Sequence, residues 1–132
     1  MEKERFLVFM YTLDTNIIIY FLKDDQAVVK FLRDEILKDS RFFISTITEA
    51  ELLSYPKMTS EEFLKIDDVL KTLSIISVDS QIAKLSGFFK RKHNISLPDA
   101  IIAATSYLTN SILITRNAED FRKIKEVKTK FI

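Results

Sequence analysis

Cysteine is absent from this chain, so neither disulfides nor thiolate metal sites can hold its fold, and an intracellular, cytoplasmic home is the simplest reading. Any bound metal must sit on oxygen. There is one glycine and there are two prolines in 132 residues, too few for a flexible linker, a low-complexity tract or a Gly-rich phosphate loop. Phosphate-loop and dinucleotide-binding readings therefore fail. No apolar run approaches the roughly 18 residues that a membrane span requires. The opening Met1-Glu2-Lys3-Glu4-Arg5 leads into only a short apolar stretch, which does not fit a signal peptide. Met10 is an alternative start, with residues 1 to 9 reading as a charged leader and extra strand. Charge of one sign is also lacking. The formal net charge is +1, so a nucleic-acid partner finds no global electrostatic support and any case for one must be local.

What remains is an ordinary globular composition, 47% hydrophobic and 30% charged, sized for a single domain over residues 1–132 with one core. Phe6 to Leu13 reads as a buried strand and stops at Asp14-Thr15-Asn16, before a helical stretch through Ile19, Phe21 and Leu22. Val28, Val29, Leu32, Ile36 and Leu37 recur at helical spacing, and Arg41 to Ile47 returns to strand formers. Thr48-Glu49-Ala50-Glu51-Leu52-Leu53 starts another helix. After Pro56, a helix through Phe63, Ile66, Val69, Leu70 and Leu73 leads into a strand from Ser74 to Val78. Asp79 then opens a helix through Ile82, Leu85 and Phe89. Ser96-Leu97-Pro98-Asp99 begins an apolar helix to Asn110, followed by a strand from Ser111 to Thr115, a short helix from Ala118 to Lys123, and a last strand near Val127 to Ile132. Five strands alternating with helices predict an α/β domain of three layers, a five-stranded parallel sheet flanked by helices, because parallel neighbours need helical crossovers.

In such a sheet the C-terminal ends of all strands share one edge, so turns far apart in sequence can meet there. Asp14, Glu51, Asp79, Asp99 and Asp120 all fall at or near expected helix starts. Taken singly, each suits a cap or a favourable place in the helix dipole. Thr48-x-x-Glu51 has the form of a capping box, and Asp79 reads as a plain cap outside any site. Taken jointly, three or more acids from separate turns would repel one another across the edge. A hard divalent cation on oxygen ligands is their natural partner.

Four segments carry a resemblance: Leu13-Asp14-Thr15-Asn16, Ile44-Ser45-Thr46-Ile47-Thr48-Glu49-Ala50-Glu51-Leu52, Pro98-Asp99-Ala100-Ile101-Ile102-Ala103-Ala104, and Thr115-Arg116-Asn117-Ala118-Glu119-Asp120-Phe121. In this order and at these distances they resemble the PIN domain, most closely the VapC-type toxin ribonucleases. The resemblance implies an Mg²⁺- or Mn²⁺-dependent endoribonuclease that hydrolyses RNA with metal-activated water, paired with an antitoxin protein and forming a homodimer. It implies Asp14 and Asp99 as direct metal ligands and Glu51 acting through water. Many members have an acid where this chain has Asn117, and Asp120, one turn on, is expected to take that place. Thr15, Asn16, Thr115 and Asn117 would orient carboxylates and water, and Arg116 would meet RNA from the turn beside the acids. The alternatives are a PIN nuclease of housekeeping RNA processing, a PIN-like binding module without strong catalysis, and a flavodoxin-like phosphoacceptor. His93, after Lys90-Arg91-Lys92, is expected at the surface, and Phe42, Phe43, Phe63, Phe88 and Phe89 in the core. Tyr20-Phe21-Leu22 is a candidate partner face.

Overall fold

A computed structural model describes residues 9–132. The charged leader, and Phe6 to Val8 of the expected first strand, lie outside the described residues. The elements run β1 (Met10–Leu13), α1 (Thr15–Leu22), α2 (Gln26–Leu37), β2 (Arg41–Ser45), α3 (Thr46–Leu52), α4 (Ser60–Leu70), β3 (Ser74–Ile76), α5 (Ser80–His93), α6 (Leu97–Leu108), β4 (Ile112–Thr115), α7 (Ala118–Phe121) and β5 (Thr129–Phe131). All strand pairs are parallel, in the order β3-β2-β1-β4-β5. Flavodoxin-like phosphoacceptors have the order 2-1-3-4-5, so that alternative is removed. Among the described residues no helix is long and apolar enough to cross a membrane.

Instead of the one core expected, the period-two alternation of the strands builds two, one on each face of the sheet. Tyr11, Leu13, Ile44 and Ile114 point to one face and pack with Ile17, Ile18, Val28 and Leu32 of α1 and α2 and with Ile66 and Leu70 of α4. Leu113 points to the other face, among Ala100, Ala103 and Ala104 of α6 and Phe89 of α5. The small residues let α6 lie close against the sheet. Thr12, fully buried, pairs its hydroxyl with Ser111 Oγ at 2.6 Å and so meets the cost of a buried polar group.

Helix starts follow short polar side chains. Asp14, Asp25, Ser45, Thr59, Asp79, Ser96 and Asn117 each accept a backbone N–H of the helix they open. Asp79, the plain cap expected from the sequence, accepts from Ile82 N at 2.9 Å. Asp79→Asn should therefore leave the melting temperature unchanged, whereas Asp79→Ala should cost about 1 kcal/mol; thermal melts of both variants check this.

Two expectations fail for local reasons. The α3 helix starts two residues earlier than Thr48, because Ser45 is its cap. Glu51 thus stands in the last turn, and the capping box lies instead at Thr59 and Glu62. Phe63 and Phe88 are 46% and 41% exposed, unlike Phe89 at 1%. On α5 the buried positions are Ile82, Ser86 and Phe89, and Phe88 falls about 100° off that stripe, where Arg91 and Lys92 lie over its ring. Phe63 sits in the first turn of α4, ahead of its buried Ile66 and Leu70.

Candidate metal centre

The order of this sheet reverses direction between β1 and β4. Chain leaving β1 goes outward through β2 and β3, while β4 and β5 occupy the other side. Ligand sites of open α/β sheets form beyond the carboxyl ends of the strands at such a switch point. Asp14 follows β1 there and Thr115 ends β4. Asp14 N donates to Ile114 O at 3.2 Å, which draws the two strand ends together.

Asp14 serves as both cap and wall. Its Oδ1 accepts Ile17 N at 3.0 Å and its Oδ2 accepts the Thr115 hydroxyl in a short bond. The residue is only 5% exposed. Burial pushes its carboxyl above the usual range, against the pull of the bonds from Thr115, Ile17 and Asn16, and the charge of Glu51 adds to the rise. Glu51, from the end of α3, is steadied by α1: Thr15 Oγ1 donates to Glu51 Oε1 at 2.6 Å and lies 3.1 Å from Thr48 Oγ1.

Asp99 stands in the first turn of α6, where Ser96 is the cap and accepts Asp99 N at 3.3 Å. Its carboxyl is also pushed up, first by burial and then by the charges of Asp120, Asp14 and Glu51. The charges of Asp120, Asp14 and Glu51 thus all bear on Asp99, and that of Glu51 bears on Asp14.

Asp14, Thr15, Asn16, Glu51, Asp99 and Asn117 line one cleft of about 290 Å³, together with Ile19, Ser54, Tyr55 and Ile102. Asp120, expected as the fourth acid, is not among the residues that line the cleft and meets it only through Asn117. The Asn117 Oδ1 accepts Asp120 N at 3.3 Å, its Nδ2 donates to Asp120 Oδ2 at 3.0 Å, and Lys123 Nζ lies 3.6 Å from Asp120 Oδ1. Asn117 thus caps α7 and tethers the acid that the family resemblance leads one to expect in the fourth position. Replacing that amide with a second carboxylate removes the tether and faces charge with charge. Asn117→Asp is expected to lower metal-free stability and tighten Mn²⁺ binding, while Asp120→Asn weakens Mn²⁺ binding. Calorimetric titration and thermal melts read both effects, and unchanged affinity in both variants would put this turn outside the metal's surroundings.

Sequence reasoning missed Tyr55, Ser54, Ile19 and Ile102 as cleft residues. Tyr55 is 53% exposed and lies past the end of α3 at Leu52, so helical spacing from Glu51 left no signal for it in the sequence. Arg116 does not reach the cleft: its guanidinium pairs with Asp25. His93 is more enclosed than expected, its side chain 9% exposed with Nε2 3.0 Å from Glu126 Oε1.

The donor set suits a hard ion. Three carboxylates and no cationic side chain line the cleft, so their repulsion has no neutralising partner among the lining residues. Among the described residues no three His, Cys, Asp or Glu groups converge closely enough to chelate an ion by themselves. The lining of carboxylates, hydroxyls and amides would suit an ion that keeps several of its waters, which is the habit of Mg²⁺.

The PIN domain family model matches residues 11–127. The chain is 28% identical over 127 residues to Ribonuclease VapC1 of Haemophilus influenzae strain R2866, covering 90% of this chain and 95% of that protein. Among solved structures it is similar to a toxin-antitoxin complex from Klebsiella pneumoniae, with 31% identity, a TM-score of 0.78, and 92% and 99% of the two chains covered. It is also similar to VapBC2 from Rickettsia felis bound to a DNA fragment from the promoter, with 26% identity, a TM-score of 0.82, and 93% and 98% covered.

Proposed function

This chain belongs to the PIN domain family, and from that membership and its carboxylate cleft we propose that it is a divalent-metal-dependent endoribonuclease, the toxin of a VapBC-like toxin-antitoxin pair. The observation that carries the reading is the convergence of Asp14, Glu51 and Asp99, from three separate turns, on one cleft with no cation in its lining. Relatives over nearly the whole length bear the name ribonuclease VapC1 or occur in toxin-antitoxin complexes. The partners are then RNA, an antitoxin protein that covers the acidic cleft, and a second copy of the chain. The work belongs in the cytoplasm, and the chain acts as one nuclease domain.

Asp14 and Asp99 would hold Mg²⁺ or Mn²⁺ directly, with Glu51 and Asp120 acting through water. A bound divalent ion would lower the pKa of water and stabilise charge on the oxygens of the transferring phosphate. The protein's own part is orientation. Thr115 and the Ile17 amide fix both oxygens of Asp14, and outer hydrogen bonds of this kind set how a ligand meets its ion. Thr15 holds Glu51 Oε1, leaving Oε2 to take a proton from water at the cleft. Asn16 and Asn117 border the same space with amide groups, and no histidine is required.

The test is cleavage of a mixed RNA pool by the purified chain with Mg²⁺ or Mn²⁺ and with chelator. Cuts that appear only with metal are the expected result. Absence of both metal-dependent cuts and calorimetric Mn²⁺ binding would overturn the reading.

A further inference from the structure

Thr115 and Arg116, adjacent at the end of β4, grip the start of α1 and the junction between α1 and α2. At the front, the Thr115 hydroxyl donates to Asp14, the cap of the helix. At the back, Arg116 Nη1 and Nη2 donate to both oxygens of Asp25 at 2.8 and 2.7 Å, just beyond the last turn. The guanidinium carbon also lies 4.5 Å from the centre of the Tyr20 ring, on the same helix, and Nε donates to Ile132 O at 2.9 Å. A bidentate Arg–carboxylate fork allows little freedom of angle. Asp25 is itself anchored, since its Oδ1 accepts Val28 N at 3.2 Å as the cap of α2.

We propose that the Arg116–Asp25 fork is a positioning clamp for the metal centre: it sets the pose of α1, and through Thr115 and Asn117 the orientation of Asp14 and Asp120. This rests on the nuclease reading. Arg116 then acts through its chain neighbours and not by touching RNA. Thr115 Oγ1 also accepts Asn117 N at 3.0 Å, so a tilt at residue 116 disturbs Asp14 on one side and the Asn117–Asp120 tether on the other. The pair is partly exposed, with side chains 30% and 26% accessible, so solvent and salt screen its contribution to global stability even with the bidentate geometry. Its loss should therefore show in the site before it shows in the melt.

Asp25→Asn separates cap from clamp, because Asn caps about as well as Asp but lacks the charge for the fork. Arg116→Lys keeps the charge and loses the fork. Each is expected to weaken Mn²⁺ binding in calorimetry by about 10-fold or more, the usual scale for a lost outer support. Each should also lower kcat on an RNA that wild type cuts, leave KM for that RNA unchanged, and speed amide exchange at Asn117 in the metal-free chain. The melting temperature should move by no more than a few degrees. The double variant should be no worse than either single one, since both break the same contact. A raised KM with a shallower salt dependence and intact Mn²⁺ affinity would overturn the clamp in favour of a phosphate contact. A large drop in melting temperature with Mn²⁺ affinity intact would overturn it in favour of a strut. Variants that match an active wild type sink only the clamp, whereas a wild type that neither binds Mn²⁺ nor cuts RNA sinks the nuclease reading and the clamp with it.

Discussion

Asp14→Asn is expected to abolish RNA cleavage while the protein stays folded. The substitution keeps an oxygen for the Ile17 amide, so the α1 cap survives, as Asn and Asp rank together at that position. Opposite Thr115, the new amide can donate to Oγ1, which already accepts the Asn117 amide and has a second lone pair. What disappears is the negative charge at the head of the cleft. Losing an outer hydrogen bond around a metal costs about 10- to 100-fold, so removing a direct ligand should exceed about 100-fold in kcat/KM. Calorimetry should show Mn²⁺ affinity falling in parallel, and circular dichroism should show a metal-free melt no lower than that of wild type. Wild-type cleavage by Asp14→Asn would mean that Asp14 is a cap and nothing more.

Asp99→Asn should likewise lose activity, yet without metal it should melt higher than wild type near neutral pH. The sign follows from the raised carboxyl of Asp99, caused first by burial and then by Asp120, Asp14 and Glu51. In the unfolded chain the group loses its proton near pH 4, while the native state holds it to higher pH. Over that window the unfolded state binds fewer protons, so metal-free stability falls as pH rises and levels off above the folded value. Asp14, also raised, adds to the same fall. Removing one member should flatten the curve, and the two proteins should converge below about pH 4. An acid in the first turn of α6 gains about 0.3–1 kcal/mol from the helix dipole. The net upward shift says that burial and repulsion exceed the pull of the Ser96 hydrogen bond.

Metal reverses the order, because an ion that binds only the native state stabilises it by about 2.7 kcal/mol at a hundred times Kd. Wild type should gain this and Asp99→Asn much less. Melts across pH with and without Mn²⁺ decide the matter. A metal-free Asp99→Asn protein that melts well below wild type would make Asp99 a structural member of the helix start, even though Ser96 provides the cap.

Much of this was legible along the chain because its signals are short-range. Strands show as apolar runs of β-formers, and helix starts as Asp, Ser, Thr or Asn within three residues of the amide they receive. Asp14 and Asp99 stood out on that basis, and Asp79 was rightly left as a cap. Short-range signals can also mislead. Thr48 and Glu51 are spaced as a capping box, but Ser45 took the cap, and Glu51 turned instead to Thr15 across the site.

What only the tertiary structure decided is which turns become neighbours. Thr115 reaches Asp14 across 101 residues and Arg116 reaches Asp25 across 91, and neither pairing leaves a mark in the local pattern. Residue types and periodicity determined five strands alternating with helices, and acids at or near helix starts such as Asp14, Asp79 and Asp99, because those depend on contacts within a turn or along a strand. The order β3-β2-β1-β4-β5 determined that Asp14 and Thr115 share the switch point and that Arg116 pairs with Asp25 and lies over the Tyr20 ring. That order is set by how two cores close over both faces of one sheet, a balance summed over the whole chain.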